Sequence, residues 1–171
     1  MSDFGLRFSD DDGDNRYEPA LVCLNGHVVN WHTESQGQDN IGFCEKCGKS
    51  TISQCPACKA SIRGMPTRVF PLESDPPPAY CNACGVPYPW TAERIAAAKE
   101  LADVISGLTA PEREQLKTAI DDLVGDTVRT PIGIAKFNGI LGKAGKGAKD
   151  LFKEILIGVI SDITTKALFG A

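Results

Sequence analysis

Residues 43–48 read Phe-Cys-Glu-Lys-Cys-Gly, and residues 80–85 repeat that pattern as Tyr-Cys-Asn-Ala-Cys-Gly. Two cysteines separated by two residues lie on one tight turn, so both thiolates can reach the same ion. A glycine directly after the second cysteine suits a turn whose backbone passes close to a metal. The repeat therefore predicts two metal-binding turns of the same kind, 37 residues apart.

A further pair of candidate ligands precedes each of these turns. Cys23 and His27 come before the first turn, and Cys55 and Cys58 come before the second. Pairing each turn with the ligands just before it closes shorter loops than an interleaved pairing, and short loops lose less entropy on closure. We therefore favour two sequential units that need no contact with each other, and interleaved pairing is the alternative. The predicted sites are Cys23, His27, Cys44 and Cys47, then Cys55, Cys58, Cys81 and Cys84.

Four thiolate and imidazole donors are the set that Zn²⁺ prefers in tetrahedral structural sites. Eight ligands fill two such sites and leave no open position for a catalytic water, so we predict two structural Zn²⁺ per chain. The cysteine count is seven, and six of them form C-x-x-C pairs in a chain whose start lacks a basic-then-apolar secretion pattern. Metal binding is therefore favoured over disulfides, and the absence of a βαβ pattern disfavours a redox C-x-x-C.

The second histidine, His32, is an alternative imidazole ligand in place of His27. It lies outside the short-spacing turn, so we expect an ordinary surface or packing residue. Trp31 and Trp90 are expected to cover the zinc units as members of a small core, because this region is poor in aliphatic residues and depends on its metals to stay folded.

Composition divides the chain into three segments. Residues 1–19 are acidic and are predicted to form a mobile tail. Residues 20–90 hold all cysteines and both histidines and are predicted to be a β-rich tandem zinc-ribbon domain. Residues 91–171 show apolar residues at helical spacing and are predicted to be an all-α helical bundle domain. The predicted class is α+β overall.

The last segment contains the signals of four helices. Thr91 is the expected N-cap of the first helix, and Thr109 is that of the second, with Pro111 and Glu112 in its first turn. The third is expected to start at Thr130, and one long final helix is expected to carry the apolar stripe from Leu151 to Ala167.

The charge distribution disfavours nucleic-acid binding, which is the first alternative function. The chain carries a net charge of −4, and residues 21–90 hold five basic and five acidic side chains. Bound thiolates would make this region more negative still, whereas nucleic-acid binding needs a basic surface. The available cations are Lys46, Lys49, Lys59, Arg63 and Arg68.

Contact with a membrane surface is the second alternative function. Residues 139–171 combine glycines, lysines and an amphipathic stripe, which is typical of helices that lie on membranes. The same stripe is also typical of a helix that packs in a bundle. Every apolar run is interrupted by charge before it reaches the ~20 residues that a membrane span needs.

Residues 20–171 resemble an uncharacterised family of bacterial proteins, a domain of unknown function with an N-terminal double zinc ribbon. The similarity continues into the helical segment, from Thr91 to Thr130-Pro131. The resemblance implies the ribbon fold and a bacterial origin, and it implies no activity. It is carried by residues 23–27, 43–48, 55–58 and 80–90.

These observations predict a non-enzymatic, cytoplasmic zinc protein that acts as a protein–protein interaction adaptor. The sequence shows no Ser/His/Asp set, open metal site or phosphate-binding glycine loop. The predicted partner is a protein of unknown identity, and self-association into a homo-oligomer is an alternative.

Overall fold

The computed structural model describes residues 16–67, 69, 72, 75–145 and 147–170. Within them, short strands come first and helices follow, which confirms the predicted α+β class. The strands are β1 (Tyr17–Pro19), β2 (Leu21–Cys23), β3 (Val28–Asn30), β4 (Thr51–Ile52) and β5 (Arg63–Pro66). The helices are α1 (Pro89–Val104), α2 (Ala110–Val124), α3 (Thr130–Leu141), α4 (Ala148–Leu156) and α5 (Asp162–Phe169).

The strands form two small antiparallel sheets. β2 lies between β3 and β4 in one sheet, and β1 pairs with β5 in the other. The backbone of Ile62 connects the sheets, because its carbonyl accepts the Ala20 N–H and its own N–H donates to the Ser53 carbonyl, each at 2.8 Å. The strand-rich region is therefore one continuous hydrogen-bonded unit.

The first strand begins before the predicted boundary at residue 20. Of the predicted tail 1–19, residues 1–15 lie outside the described residues, while Tyr17–Pro19 form β1. Glu18 is only 2% exposed, and its Oε2 accepts the N–H groups of Ser35 at 2.9 Å and Glu34 at 3.1 Å. These backbone donors, that of Ser35 foremost, lower the pKa of Glu18. An acidic residue assigned to a solvated tail is thus a buried part of the fold.

One apolar core contains two ligands of the second predicted set, Cys55 and Cys81, together with Val22, which precedes Cys23 of the first set. Val28 and Ile52 pack against its edge. The core also includes residues between and beyond the ligand pairs. The two predicted zinc units are therefore packed together, whereas the sequence predicted units that need no contact with each other. The buried members are Ala20, Val22, Cys55, Ile62, Cys81, Tyr88 and Trp90.

Helix α1 starts inside this core, three residues earlier than predicted. Tyr88 is its N-cap and Pro89 occupies the first helical position, where the fixed φ of proline favours a helix and its missing N–H costs no hydrogen bond. Thr91, the predicted N-cap, lies in the first turn and is fully buried. The first turn thus packs with the strands, whereas Ala98 and Ala102 of the same helix pack with the other helices.

Helix α2 confirms the predicted N-cap. Thr109 and Glu112 form a capping box, in which the Thr109 N–H donates to Glu112 Oε2 at 2.9 Å. Lys143, which follows α3, donates to the other carboxylate oxygen at 2.6 Å. The Lys143 hydrogen bond and then the Thr109 N–H lower the pKa of Glu112 to about 2.

The predicted long final helix is two helices, α4 and α5. The helical conformation is interrupted at residues 157–161. Gly158 has a φ of +84°, and Ser161 N-caps α5 by accepting the Thr164 N–H at 3.3 Å. The break lets Val159 and Ile160 enter the core, while Ile163 is 82% exposed. The prediction of a single helix was wrong because the positive φ of Gly158 and the N-cap at Ser161 interrupt the helix despite the apolar periodicity.

The helical core is built around two aromatic rings. Phe137 and Phe152 meet edge to face with centroids 5.3 Å apart, and both are fully buried. Leu156 of α4 is also fully buried. The apolar face of α4 therefore packs inside the protein. None of the described helices is both long enough and apolar enough to cross a bilayer.

Two glycines of α3 provide a matched test of how closely it packs on α2. A Cβ on Gly133 would lie 3.1 Å from the Ala119 carbonyl oxygen and 3.0 Å from Asp122 Cβ, whereas a Cβ on Gly139 would meet nothing within 4 Å. We expect Gly133→Ala to destabilise the protein by about 1–3 kcal/mol. Gly139→Ala should stabilise it by up to ~1 kcal/mol through helix propensity. Denaturant unfolding followed by circular dichroism measures both, and equal effects would contradict this packing.

Candidate metal centres

The structure brings the eight predicted ligands together as two groups of four. Within each group the candidate ligand atoms all lie within 4.8 Å of one another. The grouping follows the sequential pairing rather than the interleaved one. Cluster 1 is Cys23, His27, Cys44 and Cys47, and cluster 2 is Cys55, Cys58, Cys81 and Cys84.

Three of the four ligand pairs lie on the same kind of turn. The N–H of the fourth residue after the first cysteine donates to that cysteine's carbonyl in each turn, from Gly48 at 2.7 Å, Lys59 at 2.9 Å and Gly85 at 2.8 Å. Each turn is closed by an isolated bridge between the residue before the cysteine and the residue six positions after it. We call these three turns the knuckles. The Cys55 knuckle is thus a third copy of the repeat.

Sequence comparison missed the third copy because a lysine replaces its glycine. Gly48 and Gly85 have φ values of +69° and +74°, and Lys59 occupies the same position with a φ of +63°. This left-handed conformation is easy for glycine and costs a residue with a Cβ about 1–2 kcal/mol. Gln54 also replaces the aromatic residue that precedes the other two pairs, so only the C-x-x-C spacing is shared, and it is too general to identify the copy.

Replacing Lys59 with glycine should therefore stabilise the N-terminal region. We expect Lys59→Gly to raise the free energy of unfolding by about 0.5–1 kcal/mol, the strain relieved less the entropy that glycine adds to the unfolded chain. Lys46→Gly is the matched control, because Lys46 lies in the first knuckle without a positive φ. We expect this change to lower the free energy of unfolding by a similar amount. Unfolding followed by tryptophan fluorescence measures the stability of both variants. Stabilisation by Lys46→Gly but not by Lys59→Gly would refute the left-handed conformation assigned to Lys59.

The fourth pair lies on a different turn, the β2–β3 connection. The Cys23 N–H donates to the His27 carbonyl at 2.9 Å, and the His27 N–H approaches Cys23 Sγ at 3.3 Å. Gly26 has a φ of +85°, and a Cβ there would lie 2.9 Å from Trp90 Cβ. Glycine is needed at this position both for its conformation and for the close approach of α1.

The distances within the clusters fit a tetrahedral metal ion. Four Zn–S bonds of about 2.3 Å place neighbouring sulfurs about 3.8 Å apart, and a sulfur and a nitrogen about 3.6 Å apart. In cluster 2 the Sγ–Sγ distances are 3.6 Å for Cys58–Cys81 and 3.9 Å for Cys55–Cys84. In cluster 1, His27 Nδ1 lies 3.6 Å from the Sγ atoms of both Cys23 and Cys44. These spacings suit metal ligation and are far longer than the ~2.0 Å of a disulfide.

Backbone N–H groups favour the thiolate form that binds metals. Burial opposes ionisation of Cys44, but the N–H groups of Lys46 and Cys47 outweigh it and lower its pKa. The same two positions act on Cys81, where the N–H of Ala83 is the largest influence and the pKa falls to about 6. In these two knuckles the backbone thus favours the thiolate form of the buried first cysteine, Cys44 or Cys81.

Each cluster has buried donors as well as a complete set of four donors. Cys23, Cys44, Cys55 and Cys81 are all buried, so each cluster has two donors on its inner side. Four donors complete a tetrahedral shell and leave no position for a catalytic water. Among the described residues no other group of three or more Cys, His, Asp or Glu could hold a metal.

His32 lies outside both clusters, beside Glu18 of β1. It is 6% exposed, its Nε2 lies 3.1 Å from the Val69 carbonyl oxygen, and its Nδ1 lies 3.9 Å from Glu18 Oε1. The expected packing role of His32 agrees with this position, and His27 is the imidazole of cluster 1. Glu18 was the residue that sequence reasoning missed here.

Aromatic residues connect both clusters to the start of α1. Trp90 is 4% exposed, stacks on Tyr88 with centroids 4.8 Å apart, and donates its indole N–H to the Pro78 carbonyl at 3.0 Å. Burial, followed by the nearby sulfur of Cys81, raises the pKa of Tyr88. Trp31 is partly buried at the edge of the same core. The expected covering role fits both tryptophans, whereas Tyr88 carried no sequence signal.

A family model described as "uncharacterized protein conserved in bacteria" (DUF2321) matches residues 16–168. The match begins at β1 and ends within α5, so it spans both clusters and the described helices. No curated protein and no solved structure matches the chain. The chain therefore belongs to this family of uncharacterised bacterial proteins.

Proposed function

We propose that the protein is a non-enzymatic adaptor, built around two structural zinc sites, that acts through protein–protein interaction. The observation that carries the proposal is that each cluster has four donors, two of them buried, and that Val22 beside cluster 1 packs in one core with Cys55 and Cys81 of cluster 2. Metals held in this way stabilise a surface rather than perform chemistry.

Zinc is the metal that suits these donors best. Cluster 1 offers three sulfurs and one imidazole nitrogen, and cluster 2 offers four sulfurs. Soft thiolates at tetrahedral spacing select Zn²⁺ or iron–sulfur chemistry, and a mixed set with one histidine is common among structural zinc sites. All eight residues would hold zinc as a fixed cross-link, which replaces a large apolar core in a short strand-rich region.

The reactive side chains support a binding role rather than catalysis. All seven cysteines and one of the two histidines belong to the clusters, and the other histidine, His32, is buried against Glu18. Large apolar side chains remain on the surface, including Phe43 at 67% exposed and Ile163 at 82%.

The two alternative functions gain less support. Arg63, one of the five cations available for nucleic acid, lies 3.5 Å above the Tyr17 ring, and Arg68 lies outside the described residues. The amphipathic stripe that suggested a membrane surface is largely used within the core, where Phe152 and Leu156 are fully buried. Both facts favour the interaction role, and the cytoplasmic location stays a prediction.

Metal analysis and affinity capture together test the proposal. We expect purified protein to contain about two Zn per chain, since each site has four ligands. Capture from the native host should recover a specific protein with the wild-type chain and lose it with Cys81→Ser/Cys84→Ser. One Zn or none would overturn the metal assignment. Recovery of the same proteins by both chains would overturn the adaptor role.

A further inference from the structure

An open groove of about 800 Å³ lies between the strand-rich region and the helices. Pro76–Pro78 and Tyr80 form one wall. Val124, at the end of α2, and residues 157–160, at the break between α4 and α5, form the other. The volume is within the range of sites that hold a small ligand or a few side chains of a peptide.

The walls of the groove are apolar and accessible. Tyr80 is 39% exposed and Ile157 is 45% exposed, and Pro76 is also exposed. These side chains border one depression rather than being scattered over the surface. An exposed apolar trough of this kind is typical of a site of contact with another molecule.

Two carboxylates give the groove a negative charge. Asp126 and Asp162 both line it and are exposed, and no described cation forms an ion pair with either. Asp126 has a φ of +44°, and its Oδ1 is 3.5 Å from the Ser161 hydroxyl. The C-terminal end of α2 and the N-terminal end of α5 have opposite dipoles here, so the two carboxylates determine the sign.

The nearby arginine does not neutralise these carboxylates. Arg94 lies beside Gly158, next to the Ile157 end of the groove, and its guanidinium donates to the Ile157 carbonyl. The chain's own N-terminal residues are also unsuited to the groove, because residues 1–15 contain five aspartates and one arginine. Charge complementarity therefore points to a cationic occupant from another molecule.

We propose that this groove binds an extended segment of a partner protein that carries a lysine or arginine between apolar residues. Apolar side chains of the segment would pack on Tyr80, Ile157 and the prolines, while its cation would lie between Asp126 and Asp162. The inference rests on the proposed interaction role, for which it names the surface and the chemistry of the partner.

Selection from a phage-displayed library of twelve-residue peptides on the zinc-loaded full chain tests this inference. We expect enriched peptides to carry Lys or Arg flanked by apolar residues. Fluorescein-labelled versions of the enriched peptides should bind Asp126→Asn/Asp162→Asn at least about fivefold more weakly than wild type. Their binding to wild type should also weaken in 0.5 M salt, because salt screens exposed charge pairs.

Asp150→Asn is the matched control, because Asp150 is an exposed first-turn residue of α4 outside the groove. Asparagine also tolerates the positive φ of Asp126, so the variant should keep its zinc and its circular dichroism spectrum. Ile157→Ala provides a second test of the apolar wall and should also weaken binding. Enrichment of acidic peptides, or no enrichment, would overturn the inference. Equal binding of the peptides to the Asp126/Asp162 variant and to wild type would exclude the groove as the binding site. It would leave the proposed interaction role to another surface.

Discussion

Replacement of Cys81 by serine should cost the protein both metal ions, although Cys81 belongs to only one cluster. A serine hydroxyl stays protonated at neutral pH and is a poor ligand for zinc, so cluster 2 would lose its ion. Cys55 and Cys81 are also buried members of the core that contains Val22 and Trp90. Loss of cluster 2 would therefore disrupt the packing that positions cluster 1.

The expected magnitude makes this outcome clear. A structural Zn²⁺ contributes roughly 10–16 kcal/mol in small zinc domains, which equals or exceeds the ~5–15 kcal/mol stability of an ordinary domain. A strand-rich region with so small a core cannot offset such a loss. We expect the zinc content of Cys81→Ser to fall to near zero. Two independent ribbons would instead retain one zinc.

Two optical signals separate the halves of the protein in this experiment. Trp31 and Trp90, the only tryptophans, both belong to the N-terminal core, so their emission reports that region alone. The helices have their own core, so far-UV circular dichroism should change little. We expect a red shift of tryptophan emission with helicity retained.

Asn82→Ala is the control, because Asn82 is an exposed residue between the two cysteines of the same knuckle and donates no ligand. It should keep about two Zn per chain. A Cys81→Ser protein with one Zn and native tryptophan emission would show that the clusters fold independently.

The ligand sets were predictable because they depend on local geometry. A C-x-x-C pair specifies one turn, and the spacing of the pairs along the chain was enough to group them correctly. The capping box at Thr109 was predictable for the same reason, since all of its hydrogen bonds lie within four residues. Local signals of this kind do not depend on the rest of the fold.

The errors arose where distant contacts decide the local structure. Glu18 follows an acidic segment typical of a tail, yet its carboxylate is buried where it accepts the N–H groups of Glu34 and Ser35. Lys59 hid the third knuckle, because the metal-binding turn imposes a conformation that lysine alone would avoid. The packing of Val22, next to cluster 1, with Cys55 and Cys81 of cluster 2 likewise depends on Ile62, whose hydrogen bonds to Ala20 and Ser53 connect segments far apart in the chain.

Gly64→Ala should be among the most damaging single changes in the chain. Gly64 lies buried in β5, opposite β1. A Cβ at this position would lie 2.3 Å from the Trp31 carbonyl oxygen, 2.7 Å from that of Glu18 and 3.1 Å from the Ala20 nitrogen. All three atoms belong to the backbone, so no side-chain rotation can relieve the overlap.

Relief of the overlap requires β5 to move away from both Trp31 and β1, which would break the pairing of β1 with β5. We expect a loss of about 3 kcal/mol or more in the free energy of unfolding, at the upper end for overpacking. Gly42→Ala is the matched control in the same region, because its Cβ would meet nothing within 4 Å, and it should change stability by less than ~1 kcal/mol. Tryptophan-detected unfolding compares the two. If Gly64→Ala were no more destabilising than Gly42→Ala, the close approach of Gly64 to the backbone of Trp31 and β1 would be contradicted.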